Sequence, residues 1–134
     1  MLGLSDEVRV VVELWSTADA KLELTDEEAE TFFEPSGPAP THFDDRRGFH
    51  RFYLRSKGIL KRGDTTLGVY TTDISRQGIG FLSPWQLLPK ERLSLLMPNG
   101  TEYEFRISRC LRVRPGCYAC GALFTATPAR RPAN

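Results

Sequence analysis

The feature that most limits what this chain can become is the rhythm of its C-terminal two-thirds. From Phe49 onward, short β-prone runs recur at nearly regular spacing, each closed by a turn signal. Phe49–Leu60 carries Phe52, Leu54 and Ile59 among polar residues, and Lys61-Arg62-Gly63-Asp64 turns it. Thr66–Thr72 is β-branched and aromatic, and Gly78–Leu82 is a short apolar run ended by Ser83-Pro84. Arg92–Met97 and Glu102–Val113 flank Pro98-Asn99-Gly100, a strong hairpin signal because Asn-Gly accepts the positive φ such turns need. In the second of these strands Tyr103, Phe105, Ile107 and Leu111 are the expected inward residues. Pro115-Gly116 turns the chain once more, and Cys117–Thr125 closes the series with Tyr118, Ala122 and Phe124 at its apolar positions. Six short strands of this kind predict a small antiparallel barrel or sandwich, mainly all-β.

The N-terminal third has a different texture. Val8–Trp15 is rich in β-branched residues and reads as a strand, although Ser5-Asp6-Glu7 is also a fair helix start with acids in the first turn. Thr25-Asp26-Glu27-Glu28 is a capping box that predicts a short helix to about Phe33. Glu34-Pro35-Ser36-Gly37-Pro38-Ala39-Pro40 ends it with three prolines and a glycine in seven residues, the composition of an extended linker. The resulting division is an acidic N-terminal arm with a Pro-rich linker at 1–43, a folded domain at 44–126, and a loose tail at 127–134.

Charge sharpens that division. The whole chain carries a formal net charge of only +1. Yet residues 1–44 hold two basic and eleven acidic residues, whereas residues 45–134 hold sixteen basic and six acidic ones. An acidic arm beside a basic domain predicts an anionic partner, with the arm screening the basic face when that partner is absent. No apolar run is long enough to span a bilayer, and Met1-Leu2-Gly3-Leu4 leads straight into Ser5-Asp6-Glu7 with no basic n-region, so a cytoplasmic protein is expected. Three cysteines, an odd number, fit reduced thiols better than a disulfide framework. Cys117 and Cys120 lie three apart on a strand and therefore face opposite sides, which favours buried thiols over a metal site completed by Cys110, His42 or His50. No Ser-His-Asp or paired-carboxylate arrangement stands out, and no enzyme is expected.

Two short motifs carry chemistry. Asp44-Asp45-Arg46-Arg47-Gly48-Phe49-His50-Arg51 packs three arginines into six residues. A guanidinium is a planar fork of donors that fits phosphate oxygens and guanine edges and stacks on bases, so this cluster either pairs with acids of its own chain or awaits an anion. Asp73-Ile74-Ser75-Arg76-Gln77-Gly78 falls between two expected strands. Asp73 can accept from guanine N1 and N2 hydrogens, Ser75 can donate or accept, and Gly78 permits a positive φ or close approach of a ligand. The same residues also make an ordinary Asp-Ser turn with a glycine exit.

Together, Arg47-x-x-x-Arg51 ahead of the first strand and Asp73-x-Ser75-x-x-Gly78 after the second make the chain resemble the PilZ domain family over about residues 44–126. Gly78-Ile79-Gly80-Phe81 and Cys120-Gly121-Ala122-Leu123-Phe124 extend the likeness. The resemblance implies a six-stranded antiparallel β-barrel that receives cyclic di-GMP and has no cofactor of its own. It assigns Arg47 and Arg51 to the ligand's phosphates and guanines, Asp73 and Ser75 to a guanine edge, and Gly78 to the glycine position. An arginine at the place of Arg46 goes, in the family, with a mutually stacked pair of ligands, so stoichiometry hangs on that residue. The expected mechanism is that the arginine segment closes over the face bearing Asp73 and Ser75, that the arm at 1–43 moves with it, and that a downstream protein partner reads the change. Two other readings share the basic face: a barrel for single-stranded nucleic acid, opposed by the lack of an evident exposed aromatic strand, and a protein-interaction adaptor without ligand.

Overall fold

A computed structural model describes residues 6–39, 50–127 and 129–130 of the chain. Six long strands form the body: β2 (Phe52–Arg62), β3 (Thr65–Ile74), β4 (Gly78–Ser83), β5 (Arg92–Leu96), β6 (Thr101–Arg114) and β7 (Cys117–Phe124). They run in the order β3-β2-β5-β6-β7-β4, all antiparallel, and β4 pairs back onto β3 to close the barrel. Closure leaves the ring without a free edge. Alternation along each strand fills the interior, with Leu67, Val69, Phe81, Leu95, Phe105 and Ile107 almost wholly buried in one cluster. The Asn99-Gly100 turn forms between β5 and β6, with Gly100 at φ +87° and the Asn99 side-chain oxygen accepting from Thr101 N–H at 2.9 Å.

The N-terminal residues depart from the expected strand. Asp6–Thr17 is a helix, α1. Val11, Leu14 and Trp15 stand at helical spacing, and together they cover Ile59 of β2 and Leu96 of β5 from outside the barrel. A strand would have put Val12 and Leu14 on one face, whereas Val12 is exposed here. The chance to bury that one stripe outweighs the β-propensity of the valines. After α1 come β1 (Ala20–Lys21), parallel to β3, and α2 (Asp26–Thr31). Thr25 and Glu28 make the anticipated capping box, at 3.2 Å and 2.9 Å. Leu22 and Phe32 then bury themselves against Tyr70 and Cys117, with Trp15 edge-on to Tyr70 at 5.3 Å. The arm is thus apolar toward the barrel and acidic toward water. Glu28 is its one described acid in an ion pair with a barrel cation, Arg114, at 2.6 Å.

Three further differences have local causes. In the linker, Gly37–Ala39 runs antiparallel to the start of β2: Ala39 N–H donates to Arg51 O, Tyr53 N–H donates to Gly37 O, and Pro38 bridges Phe52. The tail, read as loose, contributes β8 (Ala129–Arg130), which pairs with Thr101 and Glu102 where β6 runs past the end of β7. Leu111, expected inward, is 62% exposed, because β6 shifts register between Ile107 and Arg109. One extra residue reverses every side chain beyond it.

A groove floored by two glycines

The strand pairings place four residues in one row across the outside of the barrel. Asp73 of β3 pairs with Gly80 of β4, Gly80 with Gly121 of β7, and Gly121 with Arg109 of β6. Both charged ends of this row owe their position to a bulge. Thr71 points inward and is fully buried, so strict alternation would send Asp73 inward as well. The register shift between Thr71 and Asp73 turns Asp73 out over the sheet. On β6 Ile107 points inward, and the shift before Arg109 turns that side chain outward in the same way while Cys110 packs inward.

Between the two charges the floor is bare backbone. A Cβ on Gly80 would overlap Asp73 Oδ1 and lie 2.8 Å from Thr72 Oγ1. A Cβ on Gly121 would lie 3.2 Å from Arg109 Nε and 3.4 Å from its Cγ. The two missing side chains therefore leave room for the Asp73 carboxylate and the Arg109 stem to lie on the sheet. The result is an open groove of about 260 Å³, lined by Arg51, Asp73, Ser75, Gly80, Arg109 and Gly121 among others.

Arg51 enters this groove from the start of β2. Its Nη1 lies 3.7 Å from Asp73 Oδ2, with the two side chains 34% and 30% exposed. The two motifs, distant in sequence, thus touch. A partly solvated pair at this distance contributes about 0.2–1 kcal/mol, so a phosphate can displace it at little cost. Ser75 holds the hairpin from β3 to β4. Its Oγ accepts from Gln77 N–H at 3.2 Å and Gly78 N–H at 3.3 Å, while its own N–H donates to Gly78 O. Those contacts use the oxygen as acceptor and leave the hydroxyl proton for another group.

Gly78 lines the groove, but packing supplies its need for glycine. Its φ is not positive, and a Cβ there would fall on the Ala122 carbonyl oxygen and 3.1 Å from the Ala122 carbonyl carbon. Arg46 and Arg47 lie outside the described residues, as do His42 and Asp44.

Arg55 connects Thr72, at the groove, to the arm. Its Nε donates to Thr72 O at 3.2 Å, beside Asp73, and its Nη1 to Phe32 O at 3.5 Å; the guanidinium sits 4.7 Å from the Phe32 ring centre. Beneath the floor, Cys110 and Cys120 are register partners with their sulfurs 3.3 Å apart. Burial, then the neighbouring Cys110 thiol, push the Cys120 thiol well up. Cys117 faces the arm cluster and Cys120 the barrel interior, as their spacing on a strand requires. Among the described residues no trio of His, Cys, Asp or Glu is placed to hold a metal, and no helix is long and apolar enough to cross a membrane.

Sequence reasoning did not single out Arg109, Gly80 or Gly121 as site residues. Their signal was faint. Ser108-Arg109 interrupts the alternation of β6 with two polar residues between Ile107 and Cys110.

The fold is a small closed antiparallel barrel with a charged open groove on its outer wall. Residues 45–125 match the family model described as PilZ domain. The chain belongs to the PilZ domain family, and a PilZ domain implies a cyclic di-GMP-binding module. Comparison with curated proteins gives no match.

Proposed function

We propose that this protein is a cyclic di-GMP receptor without catalytic activity, and that the ligand lies in the outer groove. The observation that carries the reading is the meeting of Arg51 and Asp73 in that groove at 3.7 Å. Cyclic di-GMP brings two negative charges and two purine edges. Arg51 exchanges the Asp73 carboxylate for a phosphate, and Asp73 is freed to accept from guanine N1–H and N2–H. The Ser75 hydroxyl donates to the same base, and Gly78 holds the turn that presents Ser75. Arg46 and Arg47 close from above on the phosphates and outer base faces, with Arg46 deciding between one ligand and a stacked pair.

In this reading the ligand also acts on the arm. Binding draws the Arg46–Arg51 segment across the barrel wall, and that segment ends at Arg51, whose carbonyl oxygen accepts from Ala39 N–H at 2.8 Å. Arg55 supplies a second link, from Thr72 to Phe32. A ligand shifts the arm only by its differential affinity for the two arrangements. The outcome is a changed surface for a downstream protein partner in the cytoplasm.

Calorimetry tests the reading. Cyclic di-GMP is expected to bind with a dissociation constant of about micromolar or tighter, equivalent to roughly −8 kcal/mol. Arg51→Ala and Asp73→Ala are each expected to weaken it by at least about ten-fold, as loss of one bidentate guanine or phosphate contact requires. Binding of a short oligonucleotide with a steep salt dependence, and none of cyclic di-GMP, overturns the assignment in favour of a nucleic-acid barrel.

A further inference from the structure

We infer that Arg109 is a second anion subsite of the groove, the anchor for the phosphodiester of cyclic di-GMP that Arg51 does not hold. The inference rests on the reading of the groove given above and adds to it a residue outside both motifs.

Three observations converge on Arg109. The first is charge. The ligand carries two negative charges, and Arg51 already faces the Asp73 carboxylate at 3.7 Å, so that pair of described residues is close to neutral. Arg109 lines the same groove and has no carboxylate partner among the described residues. It is the groove's uncompensated cation there.

The second is position. From Asp73 to Arg109 the row crosses three strand-to-strand steps, about 14 Å measured along the sheet. That is long enough for a dinucleotide to lie flat with one guanine at Asp73 and its far phosphate at Arg109. The glycine pair between them removes the side chains that would lift such a ligand off the sheet.

The third is construction. Arg109 points outward because β6 carries an extra residue at Ser108, and Ser108 Oγ secures that bulge by donating to Gly121 O at 3.0 Å. In regular alternation from Ile107, residue 109 would point into the barrel. Bulges commonly re-aim a side chain at a binding site, and this one matches the bulge that re-aims Asp73 at the other end of the row.

The test uses the full chain with two probes, cyclic di-GMP by calorimetry and guanosine, which has no phosphate, by chemical-shift titration. Arg109→Ala is expected to weaken cyclic di-GMP about ten-fold or more, the loss typical of a charge-assisted hydrogen bond, while guanosine affinity stays within about two-fold. Arg109→Lys keeps the charge but loses the planar fork, and is expected to recover only part of the loss. The inference is overturned if Arg109→Ala binds cyclic di-GMP like the parent protein while Arg51→Ala does not. It is overturned equally if both probes weaken together, which would mean a disturbed floor. If the parent protein binds no cyclic di-GMP, the reading of the groove itself falls, and this assignment with it. Melting curves of each variant within a few degrees of the parent verify that the barrel is intact.

Discussion

Gly78 and Gly80 stand two apart on one strand, and adding one methyl group to each is predicted to do opposite things. At Gly80 the new Cβ would meet Asp73 Oδ1 and, at 2.8 Å, Thr72 Oγ1. Both are ends of partly exposed side chains that can rotate away. The fold therefore loses little, and the drop in backbone entropy on replacing glycine returns roughly 0.5–1 kcal/mol. The displaced carboxylate, however, is the proposed guanine acceptor, and losing one such contact costs about 1–3 kcal/mol, or about 5- to 150-fold in affinity. At Gly78 the Cβ would meet the Ala122 carbonyl, part of the β4–β7 pairing. Backbone cannot rotate away, so the strands must part, at an overpacking cost of about 1–3 kcal/mol or more. For a chain of this size that lowers the melting temperature by about 3–15 °C. The assay is a thermal melt beside a cyclic di-GMP titration for each variant. Gly80→Ala melting like the parent but binding weakly, and Gly78→Ala melting early, is the expected pair of results. A Gly80→Ala protein that binds at full strength would refute the claim that Asp73 acts from the space above Gly80.

Three other outcomes follow from contacts away from the floor. Arg114 grips Glu28 through both carboxylate oxygens, and although desolvation pushes the Glu28 carboxyl up, hydrogen bonds from Thr25 and Arg114 and the Arg114 charge bring it net below the usual value. Because the folded value is the lower one, the stabilisation is present above the unfolded value and fades as pH falls through the folded one. Glu28→Gln keeps the capping box, so its melting deficit, about 1 kcal/mol or less, is expected to be constant near neutrality and to shrink below about pH 4.5. Burial pushes both the Cys117 and Cys120 thiols up, so alkylation at pH 8 is expected to reach the half-buried Cys110 first and the other two only on unfolding. Arg55→Ala is expected to reduce the ligand-induced change in hydrogen exchange over residues 20–33, since Arg55 links Thr72 to Phe32; an unchanged response would leave the coupling to the Ala39–Arg51 contact.

The barrel was legible because its information is local. Alternation, the Asn99-Gly100 turn and the Thr25–Glu28 box each act within a few residues, and each forms as read. What the sequence concealed depended on partners far along the chain. Val8–Trp15 has strand-like composition, but a helix is what fits its stripe to Ile59 and Leu96, which lie some fifty and eighty residues downstream. Arg109 and Leu111 both turn outward because of a single extra residue, which no hydrophobicity pattern marks strongly. The site divides in the same way. Arg51, Asp73, Ser75 and Gly78 could be named from motif spacing and do line one groove. Gly80, Gly121 and Arg109 come from three strands that meet only through register, so their alignment became visible only with the sheet in place.

The central claim is that cyclic di-GMP lies on the outer wall between Asp73 and Arg109. Amide chemical-shift mapping during a cyclic di-GMP titration tests it most directly, because the floor is backbone. The account predicts the largest shifts among the described residues at Asp73, Ser75, Gly80 and Gly121, with smaller ones spreading to Phe32. Shifts confined to the α1 and β1 side of the barrel, or no shifts at saturating ligand, would contradict it.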